Sequence, residues 1–236
     1  LGYDEVMKEK PNYTRYGGVS ISYADGDASY SRGSGDNHSR AMNFYVTEMG
    51  NKGHYLDVVL RFHHMDTNFK MFDENGKKIR GDMHNVGISL SSEYGRKKMI
   101  DDKGWYIEPQ GQLTIGYLGG DNYTTSNGIA VRQGGIRSAL GRIGFNLGKD
   151  IDEKTNIYLK ANLLHEFGGG YHAAMTDSSG SRIKIDRSFK DTWFEYGIGA
   201  AIQTGTNNHV YLDFERSAGG DFKKDWSWNV GARWTF

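Results

Sequence analysis

The nine residues WNVGARWTF, at positions 228–236, alternate between large apolar residues and small or polar ones. Neighbouring side chains on a β-strand point to opposite faces, so this alternation predicts a strand with one apolar and one polar face. With the two preceding residues included, the apolar face is Trp226, Trp228, Val230, Ala232, Trp234 and Phe236, and the polar face is Ser227, Asn229, Gly231, Arg233 and Thr235.

The same alternation recurs upstream and predicts about ten strands, most of them nine residues or longer. A mean globular strand has about 5–6 residues, whereas a tilted strand that crosses a membrane needs about 9–11. The predicted strands are 16–25, 39–49, 53–66, 85–95, 104–118, 136–148, 155–168, 192–204, 208–216 and 226–236.

Composition agrees with a chain of paired strands. The 236 residues include 33 Gly and 15 Tyr but only 2 Pro, and Pro is excluded from strand ladders because it lacks an N–H. No apolar run is long enough for a transmembrane helix, which needs about 20 residues. The formal net charge is zero, which gives no electrostatic reason to expect nucleic acid, and the absence of Cys excludes disulfides and thiolate metal sites.

The predicted connections alternate in length. The turns at 50–53, 148–154 and 205–208 are short or modest, whereas 67–84 and 169–191 read as long polar loops. Short turns at one end and long loops at the other are typical of an outer-membrane barrel. The mean hydropathy of −0.67 fits this interpretation, because only one face of each strand would meet lipid. The alternative is a soluble β-sandwich binding module, with the apolar faces in a core.

In a membrane barrel the polar faces line a wet lumen, whereas in a sandwich they form the solvent surface. The predicted lumen residues are Glu108, Gln110, Gln112, Lys160, Glu166, Glu195, Asp213, Glu215 and Arg233.

Four segments in the second half of the chain carry a resemblance to a known family. They are WYIEPQGQLTIGY (105–117), GGIRSALGRIGFNLGKDI (134–151), IYLKANLLHEFGGG (157–170) and VYLDFERSAGGDFKKDWSWNVGARWTF (210–236). In this order they resemble the translocator β-domain of the autotransporters, the type V secretion proteins of Gram-negative outer membranes. The earlier strands fit by pattern and have no such sharp motifs.

The resemblance implies an all-β fold, an antiparallel transmembrane β-barrel with twelve strands in the intact domain. We expect residues 1–236 to form one such domain, with about ten complete strands and a fragment, LGYDE, at 1–5. On this interpretation the first strand, most of the second, the linker helix and the passenger are missing from the chain.

The resemblance also implies a function: the barrel anchors and helps export its own N-terminal passenger to the cell surface. The implied partners are the lipid bilayer, the barrel-assembly machinery, and the passenger and linker helix in cis. The lumen residues would contact the linker helix, and Trp228, Val230, Trp234 and Phe236 would form a C-terminal assembly signal. No catalytic residue, cofactor, metal or nucleic-acid partner is expected.

Several alternatives stay open at this stage. Another small outer-membrane barrel, such as a porin-like channel or a barrel enzyme, would share the strand pattern. Some autotransporters cleave their own linker with lumen acids, for which Glu166 and Glu195 are nominated. The adjacent residues His63 and His64 point to opposite faces of a strand, so they cannot chelate one metal together. Small lumen residues would either leave room for the helix or permit close strand approach; these are Gly144, Gly148, Gly197, Gly199, Ala201 and Gly231.

Overall fold

The computed structural model describes residues 1–205 and 208–234, and within these ranges the regular structure is β-strand. No helix that could span a bilayer occurs in this part of the chain. The strands are β1 (Gly2–Lys10), β2 (Tyr13–Tyr30), β3 (Gly33–Gly50), β4 (His54–Phe72), β5 (Lys78–Arg96), β6 (Lys98–Met99), β7 (Trp105–Leu118), β8 (Asn122–Thr124), β9 (Ala130–Gln133), β10 (Ile136–Asp150), β11 (Thr155–Glu166), β12 (Gly170–Thr176), β13 (Arg182–Ser188), β14 (Asp191–Gln203), β15 (Asn208–Ala218) and β16 (Ser227–Trp234).

One large antiparallel sheet forms the body of the molecule. Its strand order is β1-β2-β3-β4-β5-β7-β10-β11-β14-β15-β16, with the two-residue β6 paired to β7. Each long strand therefore pairs with the long strands that precede and follow it along the chain. The sheet curls until Arg233 on the last strand reaches Asp4 on the first, at 2.6 Å between a guanidinium nitrogen and a carboxylate oxygen.

The polarity of the sheet is reversed relative to a water-soluble domain. Large apolar side chains are exposed on the outer face; Trp228 and Trp234, for example, are 64% and 65% exposed. Charged side chains are shielded on the inner face, where Lys160 is 15% exposed. The predicted faces of strand 226–236 are therefore confirmed over the described residues, and Thr235 and Phe236 lie outside them.

The first five strands extend beyond the predicted bounds. The predicted fragment LGYDE belongs to a nine-residue strand, β1, that pairs with β2. Strands β2 to β5 have 18 or 19 residues each, which is about 60 Å at about 3.3 Å per residue. The predicted loop at 67–84 is wrong, because β4 continues to Phe72 and β5 begins at Lys78. The β2–β3 extension is largely polar, and in the β4–β5 extension apolar residues such as Phe69 and Met71 are mixed with polar and charged ones, so backbone pairing continues without a long apolar alternation to reveal it.

The predicted loop at 169–191 is also wrong, because it contains β12 and β13. These strands join β8 and β9, from the connection between β7 and β10, in a second sheet of order β13-β12-β9-β8. This small sheet packs against the β4–β5 extension, where Tyr123 contacts Phe69 edge to face with ring centroids 6.1 Å apart. Its strands have three to seven residues and come from two distant connections, so local sequence gave little sign of them.

Candidate functional site in the barrel lumen

The inner wall contains a charged cluster centred on Lys160 of β11. Its ammonium group lies 2.9 Å from a carboxylate oxygen of Asp213 and also pairs with Glu215, both on β15. Lys224, in the connection before β16, pairs with Glu215 and with Glu195 of β14, at 3.1 Å in each case. We call these five residues the Lys160 cluster. It links three neighbouring strands, β11, β14 and β15, to the connection between β15 and β16.

Glycines on the middle strand allow this cluster to form. Lys160 and Glu215 are both register partners of Gly197, which lies between them on β14. Because Gly197 has no side chain, the two outer residues meet across it. Any Cβ at this position would overlap the backbone carbonyl oxygen of Phe214. A small residue on the middle strand therefore allows charged side chains on the two flanking strands to form an ion pair.

A second cluster lies on the adjoining strands of the wall and is centred on Arg142 of β10, the strand that pairs with β11. The guanidinium donates to Glu93 of β5 at 2.7 Å and to Gln112 of the intervening β7 at 2.9 Å. Gln112 in turn donates to Ser91 at 2.8 Å, and Tyr55 of β4 donates to Glu93 at 2.6 Å. The hydrogen bonds of this Arg142 cluster cross four strands of the large sheet.

Two inner-face carboxylates have polar rather than cationic partners. Glu108 accepts hydrogen bonds from the amides of Gln110, at 2.7 Å, and Asn146, at 3.2 Å. Asp57 accepts one from the Thr47 hydroxyl. Within the described residues neither carboxylate forms an ion pair. Glu108 lies three residues after the start of β7, opposite Asn146 of β10 in the strand register.

Tyrosines on the inner face lie over glycines of the neighbouring strand. Tyr106 covers Gly148, Tyr158 covers Gly199 and Tyr211 covers Gly231, so that a Cβ on any of these glycines would overlap the ring. In each pair the two residues are direct register partners. Aromatic packing over a strand glycine compensates for its missing side chain. The space at these glycines is therefore filled by the wall itself, which favours the close-packing interpretation at these positions.

The structure places the nine predicted lumen residues in four settings. Lys160, Glu195, Asp213 and Glu215 are brought together in the Lys160 cluster, while Glu108, Gln110 and Gln112 line β7. Glu166 lies at the far end of β11, where it accepts from Ser138 and from the backbone N–H groups of Ala139 and Gly168. Arg233 lies at the junction of β16 and β1.

Several residues of these clusters are not among the predicted lumen residues. Arg142 and Glu93 lie on predicted strands with the inward parity, so the alternation could have identified them. Lys224 lies in a connection, where no periodicity exists. Asp4 was hidden because the strand that contains it was read only as a fragment.

Comparison with known proteins decides the family. A family model described as "Autotransporter beta-domain" matches residues 1–215. The chain belongs to the autotransporter β-domain family. Among curated relatives, the pertactin autotransporter of Bordetella parapertussis is 31% identical over 100% of this chain, and the BrkA autotransporter of Bordetella pertussis is 26% identical over 94%. The chain spans about a quarter of the length of these relatives, 25% and 22% respectively.

Solved structures agree on the fold. The β domain of the Bordetella autotransporter BrkA matches 100% of this chain and 88% of its own chain, with a TM-score of 0.79 and 23% identity. The translocator domain of the autotransporter NalP from Neisseria meningitidis matches 100% of this chain and 79% of its own, with a TM-score of 0.73 and 13% identity. The predicted all-β, antiparallel transmembrane barrel is therefore confirmed.

Family membership also establishes the cellular location and the secretion class of this autotransporter β-domain. It is an outer-membrane barrel of Gram-negative bacteria and a translocator of the type V secretion class. The outer apolar face of the strands is accordingly the lipid-facing surface, and the charged clusters lie inside the barrel wall.

Proposed function

We propose that this β-domain anchors a passenger on its N-terminal side in the outer membrane and assists its export, while a connecting helix occupies the lumen. The observation that best supports the proposal is the pair of inner-wall carboxylates, Glu108 and Asp57, that form no ion pair within the described residues. A charge inside a protein is costly unless it is paired, so these groups suit basic side chains of an inserted helix. The Arg142–Glu93 pair is internally neutralised. The Lys160 cluster has three carboxylates and two ammonium groups, and each carboxylate has a cationic partner. We assign both clusters to the structure of the wall.

Closure of the barrel is the second part of the proposal. Within the described residues β1 and β16 share no backbone ladder, and the Asp4–Arg233 ion pair joins them instead. An unpaired strand edge is a template for another strand. We propose that one further strand fits at this edge, which would give the intact domain its twelve long strands.

The last strand suits a role in assembly. Trp228, Val230 and Trp234 are exposed on the lipid-facing side of β16, and β16 has one edge without a ladder in the described structure. We propose that the barrel-assembly machinery recognises this strand edge together with its aromatic face. Phe236, the fourth residue of the predicted signal, lies outside the described residues.

We propose that the domain itself is not an enzyme. Of the two carboxylates nominated for linker cleavage, Glu195 is held by Lys224 and receives the Trp193 indole N–H at 3.3 Å. Glu166 is held by three donors at one end of β11. Both groups are therefore used in structural contacts.

The test uses the full-length polypeptide, refolded in detergent and inserted into planar bilayers. A compact band on gel electrophoresis that shifts on boiling reports the folded barrel. We expect low conductance from the full-length protein and a rise when the connecting helix is deleted. Conductance that is high and unaffected by the deletion would instead indicate a porin-like channel.

A charge-neutral variant locates the contact within the lumen. We expect Glu108→Gln to increase the frequency of openings of the full-length protein, because the helix loses an ionic partner. Glu153→Gln, in the exposed turn after β10, is the matched control and should leave the openings unchanged. Equal behaviour of the two variants would contradict the assigned helix contact. Display of an epitope-tagged passenger on intact cells, read by protease accessibility, tests export separately.

A further inference from the structure

We propose that His64, Asp66 and His84 form a binding site for a divalent transition-metal ion of the Zn²⁺ type on the outer face of the barrel. Within the part of the chain that the structure describes, they are the one group of three potential ligands whose donor atoms all lie within 4.8 Å of one another. The site lies outside the lumen, and its existence does not depend on the proposed export function.

Strand geometry brings the three side chains together. His64 and Asp66 are two residues apart on β4, so they point to the same face. His84 is the direct register partner of Asp66 on β5. This face is the lipid-facing one, since the preceding outward residue, Phe62, and the register partner of His64, Val86, are exposed apolar residues. The site therefore lies immediately beyond the apolar belt, and the next pair on the same face, Asn68 and Asp82, is polar.

The donor atoms already converge. Asp66 Oδ1 lies 2.9 Å from His64 Nε2 and 2.7 Å from His84 Nδ1. The imidazole rings are nearly parallel, with an interplanar angle of 20° and centroids 6.4 Å apart. Because both strands are fixed by a continuous ladder, little reorganisation is needed for a metal ion to replace the two hydrogen bonds.

The donor set indicates the class of ion. Two imidazoles and one carboxylate are ligands of Zn²⁺ and related transition metals, whereas Ca²⁺ and Mg²⁺ prefer all-oxygen sites. Three protein ligands leave a fourth position for water or an external ligand. The surroundings are negative: the Asp121 carboxylate accepts the His84 backbone N–H at 2.7 Å, and Asp82 is within electrostatic reach of His84.

Other His–Asp pairs of the protein provide a comparison. His38 and Asp25 also lie on the outer face, on β3 and β2, and His38 is 43% exposed against 45% for His64. That pair has one imidazole, and its carboxylate receives a tyrosine hydroxyl rather than a second histidine. It has two metal ligands where the proposed site has three, which makes His38 a matched control.

The experiment titrates the refolded barrel, prepared without a polyhistidine tag, with Co²⁺ and then with Zn²⁺ at neutral pH. We expect visible absorption from one equivalent of bound Co²⁺, which Zn²⁺ displaces. His64→Gln and His84→Gln should each weaken binding at least about tenfold, because even changes outside the ligand shell cost about 10–100-fold. His38→Gln should bind as the unaltered protein does. No saturable one-equivalent binding, or an equal loss in His38→Gln, would overturn the proposal.

A measurement on the unaltered protein guards against misfolded variants. Diethylpyrocarbonate modifies accessible imidazoles, and the modified positions are read by mass spectrometry. We expect Zn²⁺ to protect His64 and His84 and to leave the modification of His38 unchanged. Modification of His64 and His84 at the same rate with and without Zn²⁺ would reject the site independently of any substitution.

Discussion

Tyr158 Oη donates a hydrogen bond of 2.7 Å to Asp213 across Gly199, the residue that lies between them on β14. The same arrangement occurs where Tyr45 donates to Asp4 across Gly18, at 3.0 Å. In both cases a glycine on the middle strand lets side chains two strands apart make direct contact. Direct contact between side chains on two strands, across a glycine of the strand between them, therefore occurs more than once in this inner wall.

Filling one of these glycine positions should destabilise the barrel. Gly199→Val places side-chain atoms where the Tyr158 ring lies, and overpacking of this kind costs about 1–3 kcal/mol. We expect a lower urea midpoint for unfolding in detergent. Gly111→Ala on β7 is the control, since an added Cβ there has open space. Equal midpoints for Gly199→Val and the unaltered barrel would show that the ring is free to move aside.

Replacing Lys160 with an uncharged residue should lower the free energy of unfolding, because carboxylates of the inner wall lose their cationic partner. The Lys160→Met variant leaves Asp213 without its cation and leaves Glu215 with Lys224 alone. Breaking a buried pair costs about 3–5 kcal/mol; we expect about 2 kcal/mol here, because the lumen admits water. The second change in Lys160→Met/Asp213→Asn should restore part of the loss. A double variant less stable than the single one would contradict the electrostatic explanation.

The ion pair between the first and last strands should contribute little by itself. Arg233 is half exposed, and exposed pairs are worth about 0.2–1 kcal/mol. We expect Arg233→Ala to lower the free energy of unfolding by no more than this, with the effect shrinking as salt is added. A loss of several kcal/mol that persists in high salt would mean that the pair is a principal closure of the barrel.

Acid should loosen the turn between β12 and β13. The Asp177 carboxylate accepts hydrogen bonds from the Ser179 hydroxyl and the backbone N–H of Ser181, which lower the pKa of Asp177 below its ordinary value of 3.8. A depressed pKa stabilises the turn above the unfolded-state pKa, and this contribution is lost as pH falls through the folded-state value. Amide exchange of Ser181 should therefore accelerate below about pH 4, relative to the rate intrinsic to an unfolded chain. Asp177→Ala should exchange fast at every pH, and a turn equally protected at pH 2 and pH 6 would contradict the assignment.

The sequence by itself determined the strand positions in the membrane, the inward and outward faces, and the family. The reason is physical: along a strand between lipid and a wet lumen, apolar and polar side chains must alternate. The polarity of a residue such as Trp228 or Asp213 therefore indicates whether it faces lipid or the lumen. Beyond the membrane this requirement ends, and in the β2–β3 and β4–β5 extensions the alternation is too short or too polar to show where the strands end. The second sheet was missed because its pairings join distant connections.

Only the tertiary structure decided which side chains meet. Register places Gly199 between Tyr158 and Asp213, and it brings His84 opposite Asp66, 18 residues away along the chain. A shift of one residue in pairing would move every one of these side chains to the other face. That register is fixed by the whole series of neighbouring ladders, so no local stretch of sequence could have predicted the lumen clusters or the proposed metal site.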